Sequence, residues 1–448
     1  MKQLFRHFYR DLFLTTRLFA ALAAVSVLYL LAFFFPAIEV LPTLAFYSLL
    51  VLLALDIFLL YRQREGVYAH RNAPERLSNG DDNVLGIYLE NRYRFAVQVG
   101  VIDEVPVQFQ RRDVWFQTKL PTGGKKTLTY PLRPVKRGEY AFGQIRLYAQ
   151  TALALVQRRF TVGHPVTLPV YPSFIHLHRY ELMAISQRLA DYGAKRLRRI
   201  GHSMEFDQIK QYVPGDDYRT LNWKATARQG QLMVNAYTDE RSQSVYCVID
   251  KSRAMRMPFN GLSLLDYAIN ATLALSKVVM LKEDKAGLMT ISDRKGAVIP
   301  AARKAGHLGR IMEVLYREKT RYLETDMELL YTTIRQTAKQ RSLLVFFTNF
   351  ESMSAMKRQL PLLKRIARFH ALVVVFFENT ELEGLTNKPA ADVEEIYLHT
   401  IAAQFAYEKK QIVRELNLHG IQTILTAPEN LTVNAINKYL EIKARQSL

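Results

Sequence analysis

The sequence predicts a multidomain chain: a two-helix transmembrane hairpin, then a β-sandwich, then a doubly wound α/β domain. Three observations carry that prediction. Residues 18–35 contain no charge, and from Val40 to Tyr61 only Asp56 is charged. Short alternating runs separated by turn residues occupy the next hundred positions, as in sandwiches. Beyond residue 243, wholly apolar strands alternate with amphipathic helices, the pattern of a sheet covered on both faces. The expected boundaries are 1–64 for the hairpin, 65–172 for the sandwich, 173–242 for a connector and 243–448 for the α/β domain.

Each element has a physical reason. At 1.5 Å per residue, eighteen uncharged residues span roughly 27 Å, near the thickness of a bilayer core. Pro36-Ala37-Ile38-Glu39 leaves room only for a hairpin turn. A cleavable signal peptide would need a small-x-small site, whereas the first run ends in Phe33-Phe34-Phe35-Pro36 and a second apolar run follows. Lys2, Arg6, Arg10 and Arg17 precede the pair, Arg62 and Arg64 follow it, and the loop carries Glu39 alone. The positive-inside rule therefore places both termini in the cytoplasm. Asp56 is expected near the inner interface, within reach of water.

In the sandwich, strands are expected at Val84–Leu89, Phe95–Val101, Val105–Phe109, Lys126–Tyr130, Ile145–Tyr148, Phe160–Val162 and Val166–Val170, with turns at residues 79–82, 121–124 and 137–139. Gly124-Lys125-Lys126-Thr127 lacks the earlier glycine and the hydroxyl of a phosphate loop, so it reads as a hairpin turn. The connector is expected to be helical up to the basic run at 195–199, either a solvated face or a contact with anionic lipid.

Composition narrows the function classes. The 448 residues allow about three domains. Hydrophobic residues at 49% and charged residues at 23% exclude a disordered chain. A net charge of +20 suits an anionic partner. Nucleic acid is not expected, because no RNA motif or recognition-helix pattern accompanies the charge. Cys247 is the one cysteine, which excludes an intrachain disulfide and a four-cysteine zinc site. It reads as a small core hydrophobe. His176 and His178 share a face if extended, but no third ligand is in view. The mean hydropathy of -0.07 excludes a polytopic transporter.

Two constellations bear chemistry. The first α/β strand, Ser244 to Ile249, ends in Asp250-Lys251-Ser252-Arg253-Ala254. An Asp at a strand end with Ser two residues on offers oxygens to a hard cation such as Mg²⁺. The pattern resembles the metal-ion-dependent adhesion site of von Willebrand factor A domains, Asp-x-Ser-x-Ser, and Thr325 matches the threonine those domains add. Ala254 stands where the second serine belongs and Asn349 where an Asp belongs. Asp250, Ser252 and Thr325 therefore form a degenerate metal set, and no cofactor is expected.

The second constellation reads Glu205-Phe206, Tyr212, Pro214-Gly215-Asp216-Asp217, Arg219, Trp223-Lys224 and Ala227-Arg228. Pro214-Gly215 fits a type II turn, and Asp216 or Asp217 can cap a short helix carrying the cations. A structural ion network is the expected role, with no catalytic residue. A hydrolase built on Glu205, Asp216 and Asp217 is the alternative. This stretch resembles the signature of the prokaryotic domain of unknown function 58 family, Glu-Phe…Tyr-x-Pro-Gly-Asp-Asp-x-Arg-x-Ile-x-Trp-Lys-x-Ser-Ala-Arg, with Leu221 and Thr226 as mild departures. Where family members often have Asp-Pro-x-Gly-Leu, this chain has Gln150-Thr151-Ala152-Leu153-Ala154. The resemblance implies an inner (cytoplasmic) membrane protein of bacteria with a von Willebrand A-like domain and no known enzymatic activity. It also implies a non-enzymatic adaptor working with a MoxR-type AAA+ ATPase on unidentified clients. Partner contact is expected on the strand-end surface at Lys251, Arg253 and Asn349, where such folds present ligands. A divalent-metal-dependent binder using the Asp250 set is the other reading.

Overall fold

Apolar side chains spaced all round a helix cannot be hidden in a small domain, and the two amino-terminal helices leave theirs outward. In the computed structural model, described over residues 10–35, 38–111, 114–175, 177, 204–214, 216–239, 242–379 and 392–445, helix α1 spans Thr16–Phe34 and α2 spans Val40–Tyr61. Both are long and apolar enough to cross a membrane. A third helix passes the same test on composition, Leu264–Leu281, but it is largely buried as a core helix. The chain divides into two compact units, residues 1–171 and 172–448.

The first unit is rich in strands. Three sheets are present: β1 (Leu12–Leu14), β10 (Val156–Val162), β9 (Ile145–Gln150), β5 (Val97–Asp103) and β6 (Trp115–Leu120) in that order; β2 (Val67–Asn72), β4 (Asn83–Asn91) and β7 (Lys125–Leu132); and β3 (Leu77–Ser78), β11 (Val166–Tyr171) and β8 (Gly138–Phe142). Alternate residues of these strands, such as Leu85, Ile87 and Leu89 of β4, meet in one core. Val105–Phe109 is not a strand: only a 3-10 turn, Val107–Phe109, forms there, after Pro106 has removed a ladder donor. Gly138-Glu139 begins β8 rather than making a turn. The turn at Pro121–Gly124 forms as expected, closed by Gly124 N–H to Pro121 O at 2.9 Å.

The helices do not hang from this unit by a loose linker. Leu60 of α2 is fully buried in the strand core, with Leu53, Ile57 and Tyr61 packed against it. The Tyr93 hydroxyl donates to Leu60 O at 2.8 Å, and the Arg158 guanidinium donates to Leu60 O and Gln63 O, both at 2.6 Å. At the other helix, β1 pairs antiparallel with β10, and Thr15 caps α1 while donating to Ala154 O at 2.6 Å. Asp56 is fully buried: it accepts from Thr151 Oγ1, from Leu155 N at 2.9 Å and from Val156 N at 3.1 Å. The expectation of a water-facing acid is corrected here. Its solvent is the loop 151–156.

Besides the short antiparallel pair β15 (Pro258–Phe259) and β16 (Leu262–Ser263), the second unit holds a six-stranded mixed sheet in the order β18 (Lys295–Ala302), β17 (Lys285–Ile291), β14 (Ser244–Asp250), β19 (Leu343–Phe347), β20 (Ala371–Phe377) and β21 (Gln422–Thr426). All neighbours are parallel except the edge pair β17–β18. Successive residues of β14 point to opposite cores, Val245, Cys247 and Ile249 to one and Tyr246 and Val248 to the other. Helices Leu264–Leu281, His307–Arg317 and Leu431–Ala444 cover the first face, and Met327–Thr337, Met353–Phe369 and Val393–Leu418 the second. Cys247 is buried as expected, its thiol pushed up to about 12 by that burial. The connector is not merely a link. Two antiparallel strands, β12 (Met204–Gln211) and β13 (Met233–Asp239), flank the signature and make it an arm. The basic run at 195–199 and His176 and His178 lie outside the described residues.

Candidate functional site

The sheet order has its reversal between β14 and β19, so the strand ends Asp250 and Thr348-Asn349 border the crevice where such sheets bind ligands. Asp250 is buried. Its Oδ1 accepts Ser252 N at 2.8 Å and Thr325 Oγ1, and its Oδ2 accepts Thr348 Oγ1 at 2.8 Å. Burial pushes its pKa up, and these hydrogen bonds pull against that shift. The structure thus brings together Asp250, Ser252 and Thr325, and adds Thr348, which the sequence reading did not single out.

The residues around this carboxylate do not fit a divalent cation. A hard metal needs several anionic or neutral oxygens turned inward. Here one carboxylate is spent on hydroxyl and amide donors. Asn349 instead accepts a hydrogen bond from Lys409 Nζ at 2.7 Å, and the same ammonium reaches Phe350 O at 2.5 Å. Burial lowers the Lys409 pKa to about 8, with Glu351 acting in the opposite sense. The cation at the end of the central strand is a side chain of the chain itself. Sequence reading missed it because Lys409 sits sixty residues downstream in a helix whose charges look solvated.

The expected partner residues are placed unequally. Lys251 turns inward, 8% exposed, and its Nζ lies 2.6 Å from Glu318 Oε2, whose other oxygen accepts Thr290 Oγ1 at 2.8 Å. Asn349 donates to Ala254 O at 3.3 Å. Only Arg253 is well exposed, beside Glu351 at 3.2 Å and Glu324 at 3.6 Å. Lys251 and Asn349 are committed to internal contacts, and the patch expected at these three positions reduces to Arg253.

The signature has the opposite character. Its turn closes through Asp216 N–H to Val213 O at 2.9 Å with Pro214 inside it; Gly215 lies outside the described residues. Lys210 Nζ, 2.9 Å away, holds the Asp216 carboxyl below the usual carboxylate range. Asp217 caps a 3-10 turn, Tyr218–Thr220, accepting Arg219 N at 3.0 Å. Asn222 caps the short helix α3, Trp223–Gln229, and Gly230 ends it in the left-handed region at φ 68°. The Thr226 hydroxyl accepts Met233 N at 3.0 Å, and Tyr212 N–H donates to Leu232 O at 2.8 Å, so the tip is stitched to its strands. Glu205 lies on β12 opposite Thr238 of β13. Among the described residues the expected structural ion network does not form. Asp217, Arg219, Lys224 and Arg228 are exposed, Trp223 and Tyr218 are each 69% exposed, and Val213 is 58% exposed. Of the signature charges, Asp216 has one ionic partner among the described residues, Lys210.

The geometry defines a class: a multidomain protein with two membrane-length helices bonded into a strand-rich unit, and an α/β unit that carries an exposed arm. Residues 208–394, which hold most of the arm and much of the α/β sheet, match the model of the family described as "Protein of unknown function DUF58". A curated relative, "Uncharacterized protein YeaD" of Bacillus subtilis (strain 168), is 24% identical over 267 residues, which cover 57% of this chain and 61% of the relative. The match therefore spans about three fifths of that relative's length. Among solved structures, the ASH / PapD-like domain of human CEP192 aligns with 23% of the chain and 84% of its own length, at 13% identity and a TM-score of 0.18. Proximal thread matrix protein 1 of the mussel byssus aligns with 43% of the chain and 44% of its own, at 9% identity and a TM-score of 0.25. Likenesses of that size carry no argument about fold or function.

Proposed function

We propose that this chain is a non-enzymatic, membrane-anchored adaptor of the bacterial inner membrane, and that its signature arm docks a MoxR-type AAA+ ATPase at the cytoplasmic face. In this reading the strand-rich unit is a β-sandwich that seats the anchor. The α/β unit is a von Willebrand factor A-like domain whose metal site has been given over to hydrogen bonds and to Lys409. One observation carries the proposal: the signature, which is long and specific, spends its side chains outward. Exposed Trp and Arg are the residues that most often anchor interfaces. Trp223 and Tyr218 supply that apolar contact, and Arg219, Lys224 and Arg228 call for an acidic rim on the partner.

Among the described residues of the arm nothing builds a nucleophile with a base, and Asp216 and Asp217 act as caps, which favours the adaptor over a hydrolase using Glu205, Asp216 and Asp217. A photo-crosslinker replacing Trp223 in the full chain, co-expressed with a MoxR-type ATPase, should trap that ATPase in intact cells. A reporter fused after Leu448 should be active only as a cytoplasmic fusion. Trapping from position 253 but not from 223 would move the docking surface back to the strand ends, and a periplasmic reporter signal would invert the anchor.

A further inference from the structure

We propose that the helix-bearing end of the strand-rich unit is a docking surface for anionic phospholipid headgroups, built largely from loops far from the helices in sequence. The inference rests on the reading of α1 and α2 as a membrane anchor, and it extends that anchor to a surface on the folded unit.

Strand register identifies the surface. Leu14, at the end of β1 that leads into α1, pairs with Val156 at the start of β10. From there the pairs Arg158 with Ala149, Gln98 with Gln150, and Val97 with Leu120 carry the same level across the sheet. In the second sheet Val67, just after α2, pairs with Asn91, and Glu90 pairs with Lys125. The loop 92–96, the turn 121–124 and the loop 151–155 therefore all lie at the end from which the helices leave.

That end is cationic. Arg62, Arg64, Arg94, Lys119, Lys125 and Lys126 are exposed there, and none has an ionic partner among the described residues. Among the described residues, its exposed or half-buried acids are Glu65, held by Arg92 at 2.8 Å, and Glu90. The opposite end mixes Asp81, Asp82, Glu104 and Glu139 with its basic residues.

The occupant follows from how tightly this end is held to the helices. Asp56 lies five residues before the end of α2, about 7.5 Å along its axis, and it holds the backbone of Leu155 and Val156. Loop 151–155 is thus drawn up the flank of a membrane-length helix, with Leu153 exposed on it. A surface fixed at that height meets the headgroup layer. Lys and Arg near an anionic surface each contribute about 1 kcal/mol, which is about fivefold per charge, and the effect fades within a Debye length of about 8–10 Å.

The test uses the full chain reconstituted in vesicles, comparing association of spin-labelled phosphatidylglycerol with that of spin-labelled phosphatidylcholine. The wild-type chain should prefer phosphatidylglycerol, and added salt should weaken the preference. The variant combining Arg94→Gln, Lys119→Gln, Lys125→Gln and Lys126→Gln should fall toward parity with an unchanged melting temperature in phosphatidylcholine. A Lys119→Arg, Lys125→Arg, Lys126→Arg variant should keep the preference. No preference in the wild-type chain, or an undiminished one in the four-site variant, overturns the inference whatever the variants' stability. Release of the chain from membranes by alkaline carbonate would refute the anchor itself, and this surface with it.

Discussion

Replacing Asp56 by alanine is expected to cost about 2–5 kcal/mol, a large part of the stability of an ordinary domain. The carboxylate is fully buried and accepts three donors, Thr151 Oγ1 and the amides of Leu155 and Val156. Its removal leaves two backbone N–H groups without acceptors, away from water, and each such group costs about 1–3 kcal/mol. The loss should fall on the first unit, because all three donors belong to it. Thermal unfolding of the full chain in detergent, followed by proteolysis of the strand-rich unit, would show an early transition there. A change below about 0.5 kcal/mol, the ordinary range for surface substitutions, would mean that the helix and the loop 151–156 are not joined through this residue.

Lys251→Glu should be nearly as damaging, and Arg253→Glu should not. The Lys251 and Glu318 side chains are 11% and 12% exposed and lie 2.6 Å apart, so reversal leaves two carboxylates facing each other in a largely buried site. Breaking a buried pair costs about 3–5 kcal/mol, because the remaining charge keeps its desolvation penalty. Arg253 is about half exposed with solvated partners, a setting in which an ion pair is worth about 0–1 kcal/mol. Urea midpoints of the two variants, measured side by side, should separate them clearly. Equal midpoints would show that Lys251 is free to leave Glu318, and would return it to the surface expected from sequence.

Fold class was legible where burial dictates pattern. The uncharged runs gave α1 and α2 to within two residues, and the apolar run before Asp250 gave the first strand of the α/β sheet. Strands β1 and β8 and the arm strands were missed for different reasons. Leu12–Leu14 is three residues long beside a helix start, and Gly138-Glu139 carries turn residues within a strand. Met204–Gln211 mixes polar and apolar positions across a bulge between Phe206 and Gln208, which blurs the period of two.

The site was half legible. Asp250, Ser252 and Thr325 do converge, because a strand-end motif is local and its threonine has a marked helix start after it. What sequence could not give is which charges find partners. Lys251 meets Glu318 sixty-seven residues away, and Lys409 meets Asn349 across a similar span. Asp216 and Asp217, expected to be members of a structural ion network, are local caps on an exposed tip.

On the reading proposed above, a MoxR-type ATPase binds the signature arm and not the strand-end crevice. The most direct measurement is the affinity of a MoxR-type ATPase for the full chain in nanodiscs, taken for Trp223→Ala with Arg228→Glu and, separately, for Arg253→Glu. The account predicts at least about a tenfold loss for the arm variant, consistent with removing one interface anchor, with no change in melting temperature. It predicts wild-type affinity for Arg253→Glu. Wild-type affinity in the arm variant together with lost affinity in Arg253→Glu would contradict it.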